Sequence, residues 1–347
     1  MSEQENKWGA RFAHLASDQR AILAILVIAV FIAFAIRTPA FLSGQFVIFP
    51  LIRDTAVITI VGLAQLVTLS IGHLNLAVGR MAAVSAMVAG YTYERLGFGL
   101  LAGLLAGVLA GALAGMITGY IIVKSQVNAF IVTLAMDFAL LGLVTFTYIS
   151  LTDAAAFTVK PEGMDVVRAG SLADICVFGW CGPSVIPLII FPALAVVGLI
   201  SFLYFQTRLG REFLATGVNP RAARLSGIPV DSRVMQAHTL SGALAGLAGI
   251  FLAYVNGSFS AAIGNELLLP SFLGPILAGT LLTGGVVGVF GTMLGTMLTL
   301  VIRQGLLVQG IGLETLNIAL GVILLLALSA NKIRASISSL FRRKVVR

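Results

Sequence analysis

Few side chains in the apolar stretches of this sequence are equipped for chemistry. A charged or imidazole group there is a site hypothesis by default, because hydrocarbon penalises it unless it faces a path or a partner. Asp137 is the only carboxylate near the middle of such a stretch. His73 and Asn75 follow Gly72 at a short break, with Arg80 close behind, and Glu266 opens another apolar run. Polar groups beside glycine breaks suit a broken helix that lines a cavity, so His73, Asn75, Asp137 and Glu266 are expected along a path and its gate. Two of them have a plainer alternative: Asn75 as a helix cap, and Asp137 as the partner of a nearby hydroxyl or backbone group. Ion- and proton-coupled relays usually need several intramembrane carboxylates or histidines, so one mid-span carboxylate argues against that class.

A second cluster is basic. Arg208, Arg211, Arg221, Arg224 and Arg233 fall within residues 206–233, more than membrane orientation alone requires. Asn219-Pro220 can start a helix, with Asn as cap and Pro in the first turn, where its missing N–H is harmless. Ala222, Ala223 and Leu225 continue it and Gly227 stops it before Pro229, so residues 216–230 are expected to form a short helix. Arg221 and Arg224 share one face and can meet a partner's carboxylates; lipid headgroups are the alternative contact. Ala223 and Gly227 keep the helix slim enough for a cleft. Cys176 and Cys181 stand five positions apart in an acidic loop, either bridged or as two free thiols.

Other chemistry is missing. No Lys follows a Gly, so the chain has no phosphate-binding loop of the GxxxxGK type. His14, His73 and His238 are too far apart for a zinc-protease helix motif, and no Gly-x-Ser-x-Gly elbow occurs. No bound cofactor or metal is expected, nor a nucleic-acid partner.

The elements that position these residues must be membrane helices. Of 347 residues 59% are apolar and 10% charged, against about 25% charged in soluble domains, and the mean hydropathy is +1.03. Such a chain cannot cover itself with polar surface, nor is it disordered. At about 20 residues per crossing, ten spans are expected: 21–37, 54–71, 75–93, 98–123, 127–150, 184–205, 233–256, 266–283, 286–307 and 312–330. With the N-terminus inside, sixteen of the 22 Lys and Arg fall on the inner side and six outside, as the positive-inside rule asks. The net charge of +8 therefore reads as orientation, and both termini are expected in the cytoplasm, as an eight-span count, with the short turns at 72–74 and 284–285 read differently, would also have it. The chain reads as an all-α, polytopic membrane protein with a tail at 1–20, one transmembrane domain at 21–330 and a basic tail at 331–347. Within that domain, 151–183 is an outer loop and 206–233 an inner one. The fourth span repeats Gly99, Gly103, Gly107, Gly111, Gly115 and Gly119 at every fourth residue, a ridge that lets a neighbouring helix approach closely. Spans two to five and seven to ten have opposite orientations, as in an inverted repeat.

Several motifs are recognisable. Ile71-Gly72-His73-Leu74-Asn75-Leu76-Ala77-Val78-Gly79 resembles the Gly-Gly-Ile-Asp-Leu-Ser-Val-Gly segment of permeases in ATP-binding-cassette (ABC) sugar importers, and Asn128-Ala129-Phe130-Ile131-Val132-Thr133-Leu134 their Asn-Pro-Phe-Ile-Val-Thr-Leu. Thr207–Arg211 and Gly217–Ile228 are the nearest match, followed by Ser241-Gly242 and Gly279-Thr280 in order. The chain departs from the pattern in having Asn75 in place of the usual Asp, Ala77 for Ser and Leu268 at a usually acidic position; the last looks nearer the autoinducer-2 branch. The resemblance implies a permease subunit of the bacterial inner membrane, paired with a second copy or a paralogue. Its partners would be ABC ATPase subunits, which use the ATP, and a periplasmic solute-binding protein; the 216–230 helix, with Asn219, Arg221, Ala223, Arg224 and Gly227, would couple ATP hydrolysis to the gate. The solute would be a sugar or sugar-like molecule; amino-acid or nucleoside transport within the same superfamily, or a secondary transporter, are the competing readings.

Overall fold

The computed structural model describes residues 19–152, 156–174, 176–177, 180–312 and 315–325; residues 1–18 of the first tail, the end of the tenth expected span and the basic tail at 331–347 lie outside this range. The described elements are helices α1 (Gln19–Arg37), α2 (Phe49–Ser70), α3 (Val78–Glu94), α4 (Leu100–Ser125), α5 (Ala129–Leu151), α6 (Met164–Ala169), α7 (Ile190–Gln206), α8 (Arg208–Val218), α9 (Pro220–Leu225), α10 (Val230–Asn256), α11 (Leu268–Leu277), α12 (Val289–Val308) and α13 (Thr315–Leu325). Four two-residue strands, β1 (Ala156–Phe157), β2 (Cys176–Val177), β3 (Trp180–Cys181) and β4 (Phe259–Ser260), pair as β1–β4 and β2–β3. The chain is an all-α membrane protein.

Ten apolar helices stand at the ten expected places: α1 to α5, α7 and α10 to α13. Six described helices are long and apolar enough to cross a bilayer alone. The chief departure is the eighth span. Instead of a continuous helix over 266–283 there is the ten-residue α11, and Glu266 lies before it rather than on it. Pro275 sits inside α11, and Gly279, Gly284 and Gly285 beyond it take left-handed backbone conformations that end helical hydrogen bonding.

Burial sorts the helices into a centre and a rim. α2 is buried over most of its length and, with α3 and α10, forms the core. A helix apolar on every side belongs at the centre of such a bundle. α1, α4, α5 and α7 turn large apolar side chains outward, including Ile25, Leu109, Phe146 and Leu199, as lipid-facing helices do. The α4 glycine ridge faces α3 and α10: a methyl on Gly107 would meet the Ser85 carbonyl at 2.6 Å, and one on Gly119 the Met235 Cα at 2.9 Å. Gly111 and Gly115 lie still closer to the backbone of α10, whereas Gly99 borders open space. The ridge is a tight-packing surface.

Candidate functional site

Between α2 and α3 the chain leaves helical geometry at Gly72 (φ +77°) and runs irregularly to Ala77. Irregular backbone within a membrane bundle must find its hydrogen bonds inside the protein. With its carboxamide oriented to satisfy both partners, buried Gln65 of α2 donates to the Asn75 carbonyl at 2.9 Å and accepts from the Asn75 N–H at 3.1 Å. Thr133 of α5 donates to the Leu74 carbonyl at 3.1 Å. The Asn75 side chain, fully buried, donates to Ser241 Oγ of α10 at 3.1 Å and accepts from the Ala77 N–H at 3.1 Å. His73 Nδ1 lies 3.2 Å from His238 Nε2 of α10. Asn75 is therefore not the cap residue of α3, which is Ala77. It ties the break to α10 just ahead of that helix.

A second irregular segment, 257–267, joins α10 to α11. β4 within it pairs with β1, placing Phe157 opposite Phe259, and Tyr148 Oη donates to the Phe259 carbonyl at 2.7 Å. Gly264 (φ +91°) meets Gly79, the second residue of α3, so closely that a Cβ on either would strike the other's carbonyl. One residue on, Arg80 donates to Asn265 Oδ1 at 2.5 Å while its Nε lies 3.5 Å from Asp137 Oδ1. Asp137 thus pairs with an arginine rather than with a hydroxyl or a backbone group. Eight residues into α5, it lies roughly 12 Å along that helix, so a half-buried ion pair partway along α5 braces the tip of one irregular segment.

Above that tip opens a cavity of about 420 Å³, walled by the first turns of α2, the last of α10, residues 260–267 and the last turns of α12. Arg53, Asp54, Glu266 and Arg303 line it. An adjoining cavity of about 510 Å³ shares Asn265, Glu266, Pro270 and Arg303 and extends to α13.

The arginine-rich stretch occupies the other end of α10. The chain bends by 72° between α7 and α8, where Thr207 caps α8 by accepting from the Gly210 N–H at 3.2 Å. Glu212, only 7% exposed, is gripped by Arg233 at 2.5 Å and Arg208 at 2.9 Å, and these guanidinium groups hold its carboxyl below the usual carboxylate range. The helix expected over 216–230 is shorter and starts after a break: 216–218 close α8, and α9 spans only Pro220–Leu225. Asn219 does cap it, accepting from the N–H groups of Arg221 and Ala222 at 3.0 and 3.1 Å. At the far end Gly227 (φ +80°) donates to the Arg224 carbonyl and Ile228 to that of Ala223, the paired bonds of a Schellman stop. Arg224 is ion-paired with Asp231. Ala223 is buried against this chain, while Ala222 is exposed and Leu225 is 91% exposed.

α8 reaches into the bundle. A Cβ on Gly217 would strike the Ser70 carbonyl and lie 2.6 Å from the Gly285 N–H nitrogen, and those two groups bond each other at 2.9 Å. Gly284 meets Gly72 at the same point. Residues 70–72 and 284–285, from opposite halves of the chain, are thus clasped together with the end of α8 against both.

The structure brings His73 and Asn75 together on α10 and places Asp137 beneath Asn265, the neighbour of Glu266; it leaves Glu266 in the cavity remote from the α8–α9 end. Cys176 and Cys181 are direct partners across the β2–β3 ladder. Sequence reasoning missed Gln65, Ser241 and Thr133, whose signal was an uncharged polar group in an apolar span. It missed Gly217 too, which carried no signal beyond its motif.

The fold and these contacts can now be set beside known proteins. The family described as branched-chain amino acid transport system / permease component matches residues 47–328. The chain is 30% identical over 325 residues to the probable ABC transporter permease protein YphD of Escherichia coli K12, covering 92% of each. It is 29% identical over 314 residues to the ribose import permease protein RbsC of the same organism, covering 89% of this chain and 92% of the relative. To the fructose import permease protein FrcC of Rhizobium meliloti it is 26% identical over 321 residues, covering 92% and 86%. No solved structure matches it. A polytopic helical bundle with two irregular segments inside it, matched along four-fifths of its length, belongs to the family of ABC importer permease components.

Proposed function

We propose that this chain is the membrane permease subunit of an ATP-driven, binding-protein-dependent importer of a sugar or sugar-like solute. It would work as a dimer in the inner membrane with both termini and α8–α9 in the cytoplasm. The observation that carries the reading is the outer face of α9. A short helix capped at both ends presents Ala222, Arg221 and the 91% exposed Leu225 away from the bundle, and it follows directly on α8, whose Gly217 abuts the clasp at 70–72 and 284–285. An apolar anchor beside an arginine suits a cleft on a partner chain, and this chain has no nucleotide-binding loop of its own. Push or pull on α9 by an ATPase would reach the clasp through α8.

Sugar is favoured over amino acid because ribose and fructose import permeases align along nearly the whole chain. The test is reconstitution in proteoliposomes with a candidate ABC ATPase and a candidate solute-binding protein from the same organism. ATP-driven uptake of D-ribose or D-fructose, and loss of ATPase co-purification in Leu225→Glu, are expected. Uptake of L-leucine with neither sugar transported would transfer the chain to the amino-acid branch. Normal ATPase association in Leu225→Glu would remove α9 as the docking helix.

A further inference from the structure

We infer that the 420 Å³ cavity above Asn265 is a low-affinity acceptance site on the permease itself for a neutral polyhydroxylated solute, with Glu266 and Arg303 as its recognition pair. The inference rests on the importer reading above and names the place where the solute first contacts this chain. The cavity is of small-ligand size, about 300–1,000 Å³, and it lies at the end of α10 opposite α8–α9, where a solute arriving from outside would enter.

Its charges are arranged unusually. Arg53 is already tied to Asp54 at 3.2 Å. Glu266 and Arg303 line both adjoining cavities, yet neither side chain makes a hydrogen bond or ion pair with another described residue. A carboxylate and a guanidinium with no side-chain partner among the described residues, on a wall that also carries Val57, Ile58 and Leu252, call for water or a ligand to satisfy them. Hydroxyl groups can do so at both, donating to the carboxylate and accepting from the guanidinium. Asn256 and Asn265 add further donors and acceptors. Two arginines against two carboxylates leave no net charge to select an anion, and the apolar wall suits the C–H faces of a sugar.

The floor also fits a site that must let its ligand pass. It is the irregular segment ending at Asn265, closed by the Gly79–Gly264 contact and held from below by Arg80. Arg80 is a positioning residue for the cavity: it touches the floor and not the space above it.

Cysteine protection tests the site directly. Ala262, which lines the cavity and is exposed, is replaced in A262C, and the complex with its ATPase is labelled by a thiol reagent without the binding protein, the parental chain giving the background. A sugar at tenfold above a millimolar dissociation constant should slow labelling about tenfold, since protection follows 1 + [L]/Kd. D-ribose or D-fructose is expected to protect and L-leucine not, and protection is expected to vanish in E266Q and R303Q. Protection by L-leucine alone, no protection by either sugar, or protection unchanged in both variants would overturn the assignment. Sugar uptake by the intact importer without protection overturns this site alone, whereas absence of uptake overturns the transport reading beneath it.

Discussion

Asn75 shows how one side chain can hold an irregular segment in place. Its amide group faces Ser241 on one side and the Ala77 N–H on the other, while its own backbone is held by Gln65. Asn75→Leu would strand both partners in a dry setting, at a cost of about 1–3 kcal/mol for each buried group left unpaired. Because the change is local and the bundle is large, assembly with the ATPase should survive on a sizing column while solute uptake falls severalfold; unchanged uptake would show that the segment does not gate. Arg80 and Asp137 allow a cleaner experiment. Removing either charge alone leaves the other unpaired within the bundle, whereas removing both does not. R80Q and D137N should each lower the thermal midpoint, and the double variant should recover much of the loss; additive losses would show that the pair is not coupled.

Among the elements, α8 and α9 separate two roles that glycine can play. Gly227 ends α9 in a left-handed conformation with open space around it, whereas Gly217 is ordinary helix wedged against Ser70 and Gly285. Gly227→Ala should cost only backbone strain, about 1 kcal/mol, and leave ATP-driven uptake near normal. Gly217→Ala must push the end of α8 off the clasp and should uncouple ATP hydrolysis from uptake. If the two variants behave alike, the wedge does not transmit motion. The Glu212 clamp at the root of α8 carries a pH signature. Its two arginines lower the carboxyl's folded-state pKa, so its stabilising effect is complete above the ordinary Glu value of about 4.3 and is lost as pH falls through the lower, folded-state value. Coupling should therefore hold unchanged from neutral pH down to about 5, and Glu212→Gln, measured at neutral pH, should reproduce the acid-induced loss.

On the scale of the whole molecule, the two ends of α10 differ: the arginine-rich α8–α9 stretch, proposed to dock the ATPase, lies at one and a polar cavity at the other. Between them lie two irregular segments, each stitched to helices distant in sequence. The loop at 151–183 holds a candidate local staple. The backbones of Cys176 and Cys181 are paired across a two-residue ladder, and directly opposed strand residues have Cα atoms about 4.5–5.5 Å apart, within disulfide range. We expect a bridge, so that maleimide labels the chain only after reduction; equal labelling with and without reductant would exclude it.

Read by itself, the sequence determined the membrane class, the place of ten apolar helices and the two caps of α9. These are local quantities, set by runs of apolar residues and by the backbone preferences of Asn, Pro and Gly. It also exposed His73, Asn75 and Asp137, because a polar group stands out in an apolar run. It could not choose their partners. That Asp137 meets Arg80, that Asn75 meets Ser241, and that Glu266 shares a cavity with Arg303 depends on which helices lie side by side. The same holds for Gly217, a helical glycine like many others until the fold sets it against two turns from opposite halves of the chain. Nor could hydropathy reveal that the eighth span breaks after ten residues, since residues 278–288 are apolar enough to continue it and only the path of the backbone, bent by Pro275 and three left-handed glycines, ends the helix. Spacing along the chain carries local geometry; contacts between segments scores of residues apart exist only once packing has placed the helices, and in this protein the site is made of those contacts.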